Sequence, residues 1–350
     1  MEKSLYFEVI ANLFPNLLVQ IIEEKKGDPD YSFLERLGEE YSIDGTFEVL
    51  TGSKRTVKAD IVAMDSALPL KSRPVMGAAF GKVPKIGQSR VMRGSDLKKL
   101  DVMIQKFGNN SDRVRDAVFN DSQSNVDGVL DTMQELYLTG LSAGVVNVGA
   151  DNVGLTEIRL DYGFKTSQKR GVPVVWSNAA TATPLADIMN IVALARQNGT
   201  QLTEMHLDAT SFNQIMKSAE VAAVFDGLGF LTERRLRDFF MDELGLSVQI
   251  VTRTVNVEID GVVTNKPVWT AGMVTFTQSG EIGTVFYTDT AEHNHRAEQA
   301  LYAEPNAYIL SSIYRTLRPL NEWSEAQAMA LPVITDVDNI WQLDTTTVEA

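Results

Sequence analysis

The chain has 350 residues and a formal net charge of −14, and 44% of its positions are hydrophobic. This length is sufficient for one large hydrophobic core or two smaller ones. The lack of cysteine excludes disulfides, thiolate nucleophiles and cysteine-ligated zinc, and the acidic charge argues against non-specific binding to a nucleic-acid backbone, which needs clustered Lys and Arg.

The N-terminal sequence predicts neither a membrane anchor nor an export signal. The apolar stretch 13–22 contains Pro15 and Asn16 and is shorter than the roughly 18 apolar residues that a membrane helix needs. The start, Met1-Glu2-Lys3-Ser4, lacks the basic lead-in of a secretory signal. We therefore expect synthesis in a cytoplasm and no membrane partner.

Two non-globular segments are predicted before residue 97. Residues 1–44 are interpreted as an N-terminal arm with local helix, including an amphipathic helix over 33–40. Residues 45–96 are rich in Gly, Pro, Lys and Arg and contain extended runs at 58–63 and 85–91. Because such a segment cannot bury a core of its own, we interpret it as a long two-stranded loop that lies on another surface.

This loop overlaps a basic island in an acidic chain. Residues 51–100 contain eleven Lys or Arg and three Asp, a local net charge of +8. The island is either an ordinary solvated surface or an arm that reaches an acidic neighbouring subunit. On the second interpretation, removal of 51–100 leaves the rest folded but unable to assemble, and the contact residues are Lys54, Arg55, Lys58, Lys71, Arg73, Lys82, Lys85, Arg90 and Arg93.

The longest helical pattern covers residues 111–143 and predicts a helix of roughly 50 Å at about 1.5 Å per residue. Gly144 ends it, and the alternating stretch 156–163 predicts a strand. Apolar residues recur at spacings of three and four: Val114, Val118, Val126, Val129, Leu130, Met133, Tyr137 and Leu141.

The C-terminal half mixes helices and strands, which predicts the α+β class. Thr183 as N-cap and Pro184 at the first helical position open a helix that Asn198-Gly199 closes. Further helices are predicted over 211–224 and 232–244. Strands are predicted over 247–259, 268–276 and 283–287, with a hairpin turn at Asp260-Gly261, and Pro332 predicts an edge position for the extended tail 331–341.

No catalytic, cofactor-binding or metal-binding residues are predicted. His293 and His295 lie two positions apart, but nothing near them supplies the further ligands of a nuclease or metal site, so we expect surface histidines. The chain has no Walker A or G-x-G-x-x-G string and no G-x-S-x-G elbow. A hydrolase that uses Asp or Glu stays open as an alternative and would need clustered carboxylates with raised pKa values.

The order of arm, long β loop, long helix and mixed domain resembles the Hong Kong 97-like fold of tailed-bacteriophage capsid proteins. Three strings resemble the lambda-type major capsid protein E family in the same order: Leu160-Asp161-Tyr162-Gly163, Val175-Trp176, and the helix opening 182–188. Weaker agreements lie at 283–290 and 331–333, whereas the first forty residues match little.

The resemblance implies a shell subunit and four parts of the chain. These are an N-terminal arm (1–44), an extended loop over the adjacent subunit (45–96), a peripheral domain with the long spine helix (97–180, with return strands from about 247–290), and an axial domain (181–246 and 291–350). The implied function is a major capsid protein, not an enzyme, that self-assembles into pentamers and hexamers of an icosahedral shell.

The resemblance also implies partners. These are a portal protein, a separate scaffolding protein, a decoration protein, and packaged DNA that is enclosed without specific binding. Assembly is expected in the host cytoplasm and the product is the virion. Some relatives form a Lys to Asn isopeptide between subunits, for which no partner Asn is evident here. An encapsulin-like cellular compartment with the same fold is the alternative.

Overall fold

The computed structural model describes residues 14–51, 77–107, 112–148, 158–226, 230–259 and 261–349. Its longest element is a helix of 32 residues, as the sequence predicts. The helices are α1 (Phe14–Lys25), α2 (Phe33–Arg36), α3 (Gly94–Phe107), α4 (Asp112–Ala143), α5 (Pro184–Gln197), α6 (Ala209–Lys217), α7 (Ala219–Val224), α8 (Glu233–Phe239) and α9 (Ala291–Asn294).

The strands form two larger sheets and three two-stranded ribbons. They are β1 (Leu37–Tyr41), β2 (Thr46–Thr51), β3 (Gly77–Lys82), β4 (Lys85–Arg93), β5 (Val145–Val148), β6 (Ile158–Asp161), β7 (Lys169–Val172), β8 (Glu204–Asp208), β9 (Ser247–Val251), β10 (Thr254–Ile259), β11 (Val262–Pro267), β12 (Met273–Thr277), β13 (Gly283–Thr288), β14 (Leu301–Ala303), β15 (Ile309–Leu317), β16 (Leu320–Ile334) and β17 (Trp341–Val348).

The first core lies between α4 and a six-stranded sheet. The sheet order is β1-β13-β16-β15-β14, with β4 also paired to β16. Among the side chains at the predicted three and four spacing of α4, Val126, Leu130 and Met133 are fully buried. The helix therefore lies with one apolar face against the sheet, which stabilises both elements.

The second core lies in a five-stranded sheet and the helices that follow residue 183. The sheet order is β7-β17-β12-β8-β9, with β8 parallel to β9 and β17 parallel to β7. Trp176, Ile188 and Phe240 are fully buried in this core. The fold is therefore α+β with two separate hydrophobic cores in one chain.

The described part of the predicted arm packs on this chain itself. Phe14, Leu18 and Ile22 of α1 are at most 2% exposed within the first core, and β1 pairs in parallel with β13. The predicted helix over 33–40 ends at Arg36, because the next five residues form this strand. Residues 1–13 lie outside the described residues.

The structure describes the base of the predicted two-stranded loop. Strands β2 and β3 form an antiparallel ribbon in which Thr51 lies opposite Gly77. The end of the predicted loop has a different role, because β4 pairs with β16 over nine residues and α3 buries Leu97 and Leu100. Removal of the whole range 51–100 would therefore damage the first core, which contradicts the expectation that the rest stays folded.

Strands β14, β15 and β16 lie in the sheet that packs on α4, whereas the family resemblance implied that 291–350 belong to one domain with 181–246. Strand β16 is 15 residues long and has partners on both sides: β4 and β15 along its first part, and β13 along 329–334. Among the described strands only β13 pairs with residues 330–334, so Pro332 does lie at a local edge, as predicted.

Several predicted boundaries shift for local reasons. The helix predicted over 211–224 is divided at Ser218, whose hydroxyl accepts a hydrogen bond from the Val221 amide at 3.3 Å and caps a new helix. The helix predicted over 232–244 ends in a π turn, Phe240–Leu244, before Gly245 at φ 71°. The predicted hairpin is formed by β10 and β11, in which Ile259 lies opposite Val262. No helix among the described residues has the length and hydrophobicity to cross a membrane.

Candidate assembly surface

The nine Lys and Arg residues predicted to contact a neighbouring subunit fall into two groups. Five lie outside the described residues: Lys54, Arg55, Lys58, Lys71 and Arg73. The other four lie on β3 and β4 and are all exposed: Lys82, Lys85, Arg90 and Arg93. The structure therefore places the second group along the segment that continues from the ribbon into the first sheet.

Two of these cations are paired within the chain. The Lys85 ammonium lies 3.2 Å from the Glu292 carboxylate, and the Arg90 guanidinium lies 4.0 Å from that of Asp121. Burial alone would raise the pKa of Glu292, but its backbone hydrogen bond and Lys85 lower this pKa overall. Exposed pairs of this kind contribute about 0–1 kcal/mol, so both cations can exchange partners at little cost.

Arg93 faces the first turn of α3. The Lys99 ammonium lies 2.8 Å from the Asp96 carboxylate and lowers the pKa of Asp96, with a smaller contribution from Arg93. Asp96 also lies in the first turn of α3, where a negative charge is favourable. This part of the surface therefore carries mixed charge.

The base of the β2–β3 ribbon is fixed to the first core. The buried ring of Phe47 stacks on Phe286 with centroids 5.8 Å apart. A Cβ at Gly81 would lie 2.8 Å from the Phe47 ring, so the close approach of β3 requires glycine. The Asp44 carboxylate accepts hydrogen bonds from the Thr46 hydroxyl and amide, which lower its pKa. The direction in which the chain leaves the core is therefore well defined.

Several large apolar side chains are exposed away from the basic residues. Ile43 is 91% exposed and Phe230 is 94% exposed. On the β10–β11 hairpin, Val262 and Val263 are 63% and 60% exposed, and every residue of β11 is exposed. Such side chains stabilise an isolated chain little, and they are available for burial against another molecule.

The histidines do not form a metal site. His293 lies 3.1 Å from the Glu304 carboxylate and His295 is exposed, as predicted. His206 is buried on β8, and its Nε2 lies 3.3 Å from both the Thr277 hydroxyl and the Glu204 carboxylate. Within the described ranges, no group of three or more His, Asp or Glu side chains has a geometry that could hold a metal ion.

A family model for phage major capsid protein E matches residues 48–345. The chain belongs to this family. It is a major capsid protein that forms a viral shell, and its place is in the virion. No curated protein shows a significant match to this chain.

The phage major capsid protein E assignment agrees with the solved structures that the fold resembles. A protein described as a prophage capsid protein of Escherichia coli CFT073 matches with a TM-score of 0.56 and 14% identity, over 94% of this chain and 98% of that chain. A phage-related protein from Bordetella bronchiseptica RB50 matches with a TM-score of 0.53 and 10% identity, over 95% and 97%. The fold is therefore the α+β Hong Kong 97-like capsid fold.

The encapsulin alternative is less well supported than the phage capsid family. The family model that matches residues 48–345 describes a phage major capsid protein.

The strings that resemble this capsid family have structural roles. The buried Tyr162 donates its hydroxyl hydrogen bond to the Pro332 carbonyl at 3.0 Å, which joins the end of β6 to the first sheet. The buried Trp176 indole donates to the Asp187 carboxylate at 2.9 Å, which fixes the start of α5. Burial raises the pKa of Asp187, although the Trp176 hydrogen bond opposes the shift.

Sequence reasoning did not single out the exposed valines of the hairpin or the ribbon anchor at Phe47. Val262 and Val263 follow the turn Asp260-Gly261 in the sequence, and isolated strands of this kind are usually half-buried. Among the described strands β11 pairs with β10 alone, and this becomes evident only from the sheet pairing.

Proposed function

We propose that this major capsid protein occupies both pentamers and hexamers of an icosahedral shell that encloses viral DNA, with the loop between β2 and β3 lying over the adjacent subunit. The observation that carries the proposal is the ribbon itself. Strands β2 and β3 bring Thr51 and Gly77 opposite each other. The 25 residues between them in the sequence contain five of the proposed contact cations.

The charge distribution supports an electrostatic contact between copies. The loop region is basic whereas the rest of the chain is strongly acidic, so a loop that extends onto a neighbour meets mostly carboxylates. Contacts made of exposed ion pairs are individually weak. They therefore tolerate the small rotations that distinguish a subunit in a pentamer from one in a hexamer.

The presence of two hydrophobic cores supports a division of the subunit into two domains. We assign the core of α4 and the six-stranded sheet to a peripheral domain, and the core built around residues 172–248 to an axial domain around the five-fold and six-fold axes. Residues 1–13 stay assigned to an N-terminal arm. The role is structural and without catalytic turnover.

Further partners follow from the role in the shell. We propose a portal protein, a separate scaffolding protein and a decoration protein as partners, with assembly in the host cytoplasm. The strongly acidic remainder of the chain would limit adhesion of packaged DNA, so the DNA is enclosed without specific binding.

The loop can be tested by a shortened chain. Replacement of 52–76 by Asn-Gly joins Thr51 and Gly77 with a two-residue hairpin turn and leaves β4 and α3 intact. We expect the parent chain, with a co-expressed scaffold candidate, to form closed shells or rings of five and six in negative-stain electron microscopy. The shortened chain should keep its circular dichroism spectrum and form none of these.

A full-length control variant separates the effect of the loop's positive charge on assembly from the effect of its length. In this variant the five cations between 52 and 76 are replaced by Gln, and we expect fewer shells and weaker dependence on salt concentration. Shells of normal size and yield from the shortened chain would contradict the loop contact. A parent chain that stays monomeric under every condition would contradict the pentamers and hexamers.

A further inference from the structure

The two cores are joined at one place by neutral hydrogen bonds. The buried Gln342 side chain of β17 donates to the carbonyls of Leu141 and Ser142 at 3.0 and 2.9 Å, and the Thr275 hydroxyl of β12 donates to the Leu141 carbonyl at 3.1 Å. These bonds satisfy the last carbonyls of α4, which have no partner inside the helix. The C-terminal end of α4 is therefore held by the second sheet.

A second junction is ionic, and Arg36 makes it from the first core. Arg36 ends α2, and its guanidinium lies 3.2 Å from the Glu204 carboxylate of β8. It also donates to the Thr277 hydroxyl at 3.1 Å and to the Gln278 carbonyl at 2.7 Å. The Arg36 side chain is 12% exposed, so little water competes for these bonds.

Arg253 reaches from the second core to the first. It follows β9 of the second sheet, and its guanidinium contacts the Asp131 carboxylate of α4. It also lies over the Tyr31 ring at 4.4 Å and 3.8 Å from Asp30. Its side chain is 12% exposed. Two arginines thus connect the segment 30–36 and α4 with the second sheet.

The segment between the arginines is itself tied to α4. The buried Gln134 side chain accepts a hydrogen bond from the Phe33 amide and donates one to the Ser32 hydroxyl, both at 3.1 Å. The segment 30–36 therefore cannot follow the second sheet when that sheet moves relative to α4. Such a motion has to break the contacts that Arg36 and Arg253 make between the two cores.

The space at this junction is not filled by apolar side chains. A cavity of about 250 Å³ separates the two cores here, and its lining includes Arg36, Gln134, Glu204, His206, Gln249 and Arg253. A polar, partly open junction can change its spacing without breaking a close-packed core, whereas packed apolar interfaces resist such change.

From this geometry we propose that the end of α4 is a pivot and that Arg36 and Arg253 form an ionic latch that sets the angle between the two cores. The latch is closed in this structure. Its opening lets the second core rotate about the α4 end, so that one sequence adopts the different subunit shapes of a shell. The role in the shell rests on the proposed function, but the latch itself is a property of the single chain.

The absence of cysteine allows a direct test. Lys99→Cys on the first core and Arg234→Cys on the second core, at side chains 77% and 90% exposed, provide sites for two spin labels. Pulsed electron paramagnetic resonance of the unassembled chain gives the distribution of distances between them. We expect one narrow distribution with the latch intact, and a broader and shifted distribution in the double variant Glu204→Gln, Arg253→Gln.

Two control variants make the result decisive. Glu204→Gln alone keeps the side-chain volume and should give a smaller shift, which protects the test if the double variant does not fold. Arg170→Gln removes an exposed ion pair within the second core and should change nothing. Unchanged distance distributions in folded latch variants would overturn the latch. Since the measurement uses unassembled chains, a failure of assembly would count only against the proposed function.

Discussion

At the scale of single residues, the start of α5 shows how an end cap can come from a distant part of the chain. Thr183 is at the N-cap position, as the sequence predicts, but its side chain makes no capping hydrogen bond. Instead the Glu220 carboxylate accepts from the amides of Leu185 and Ala186 at 2.7 and 3.1 Å. A carboxylate at this end of a helix is also favourable to the helix dipole.

The capping contributions of Glu220 and Thr183 to stability can be compared with a matched pair of variants. We expect Glu220→Ala to reduce the free energy of unfolding by about 1–2 kcal/mol, because two amides of the first turn lose their charged acceptor. Thr183→Ala should change it by less than about 0.5 kcal/mol, as for other exposed positions. Urea denaturation of both variants checks this, and a larger effect at Thr183 would show that the hydroxyl is the cap.

At the scale of elements, α4 contains two glycines that the helical pattern leaves unexplained. A Cβ at Gly140 would lie 2.6 Å from the Tyr162 ring, which is buried and held by its bond to Pro332. A Cβ at Gly128 would meet the end of the Gln88 side chain at 2.4 Å. The first neighbour cannot move, whereas the second is exposed and flexible.

Alanine at these two positions should therefore have different effects. Gly140→Ala gains about 1 kcal/mol of helix propensity but overpacks the ring, and we expect a net loss of about 1–2 kcal/mol. Gly128→Ala gains the same propensity but displaces the exposed Gln88 side chain from its hydrogen bond to the Ser124 carbonyl, so we expect a net change close to zero. Thermal unfolding of the two variants gives the comparison, and equal stability would mean that Tyr162 adjusts freely.

At the scale of the whole molecule, local sequence patterns predicted individual helices and strands better than they predicted how these elements combine into sheets and cores. The three and four spacing predicted α4 within one residue, and the Asp260-Gly261 turn predicted the β10–β11 hairpin. The sharing of β16 among three strands could not be read from the sequence, because pairing between distant strands leaves no local signal. Four of the nine proposed contact cations lie among the described residues, and the other five lie in 52–76, outside them.

The central position of β17 gives a prediction for the whole chain. This strand lies between β7 and β12 in the second sheet, so a chain that ends at residue 340 loses the partner of both. We expect limited proteolysis to cut that chain throughout 172–250. A chain that ends at Val348 keeps β17 and should resist digestion. Equal resistance of the two truncated chains would mean that the second core forms without its last strand.

The position of β17 also matters while the protein is being made. The first sheet needs β16 and the second needs β17, and both strands follow nearly all of their partners in the sequence. Neither sheet has all its strands until β16 and β17 have left the ribosome. The partner strands made earlier therefore keep unpaired edges while residues up to 348 are translated, and a product that stops before β17 lacks a complete second sheet.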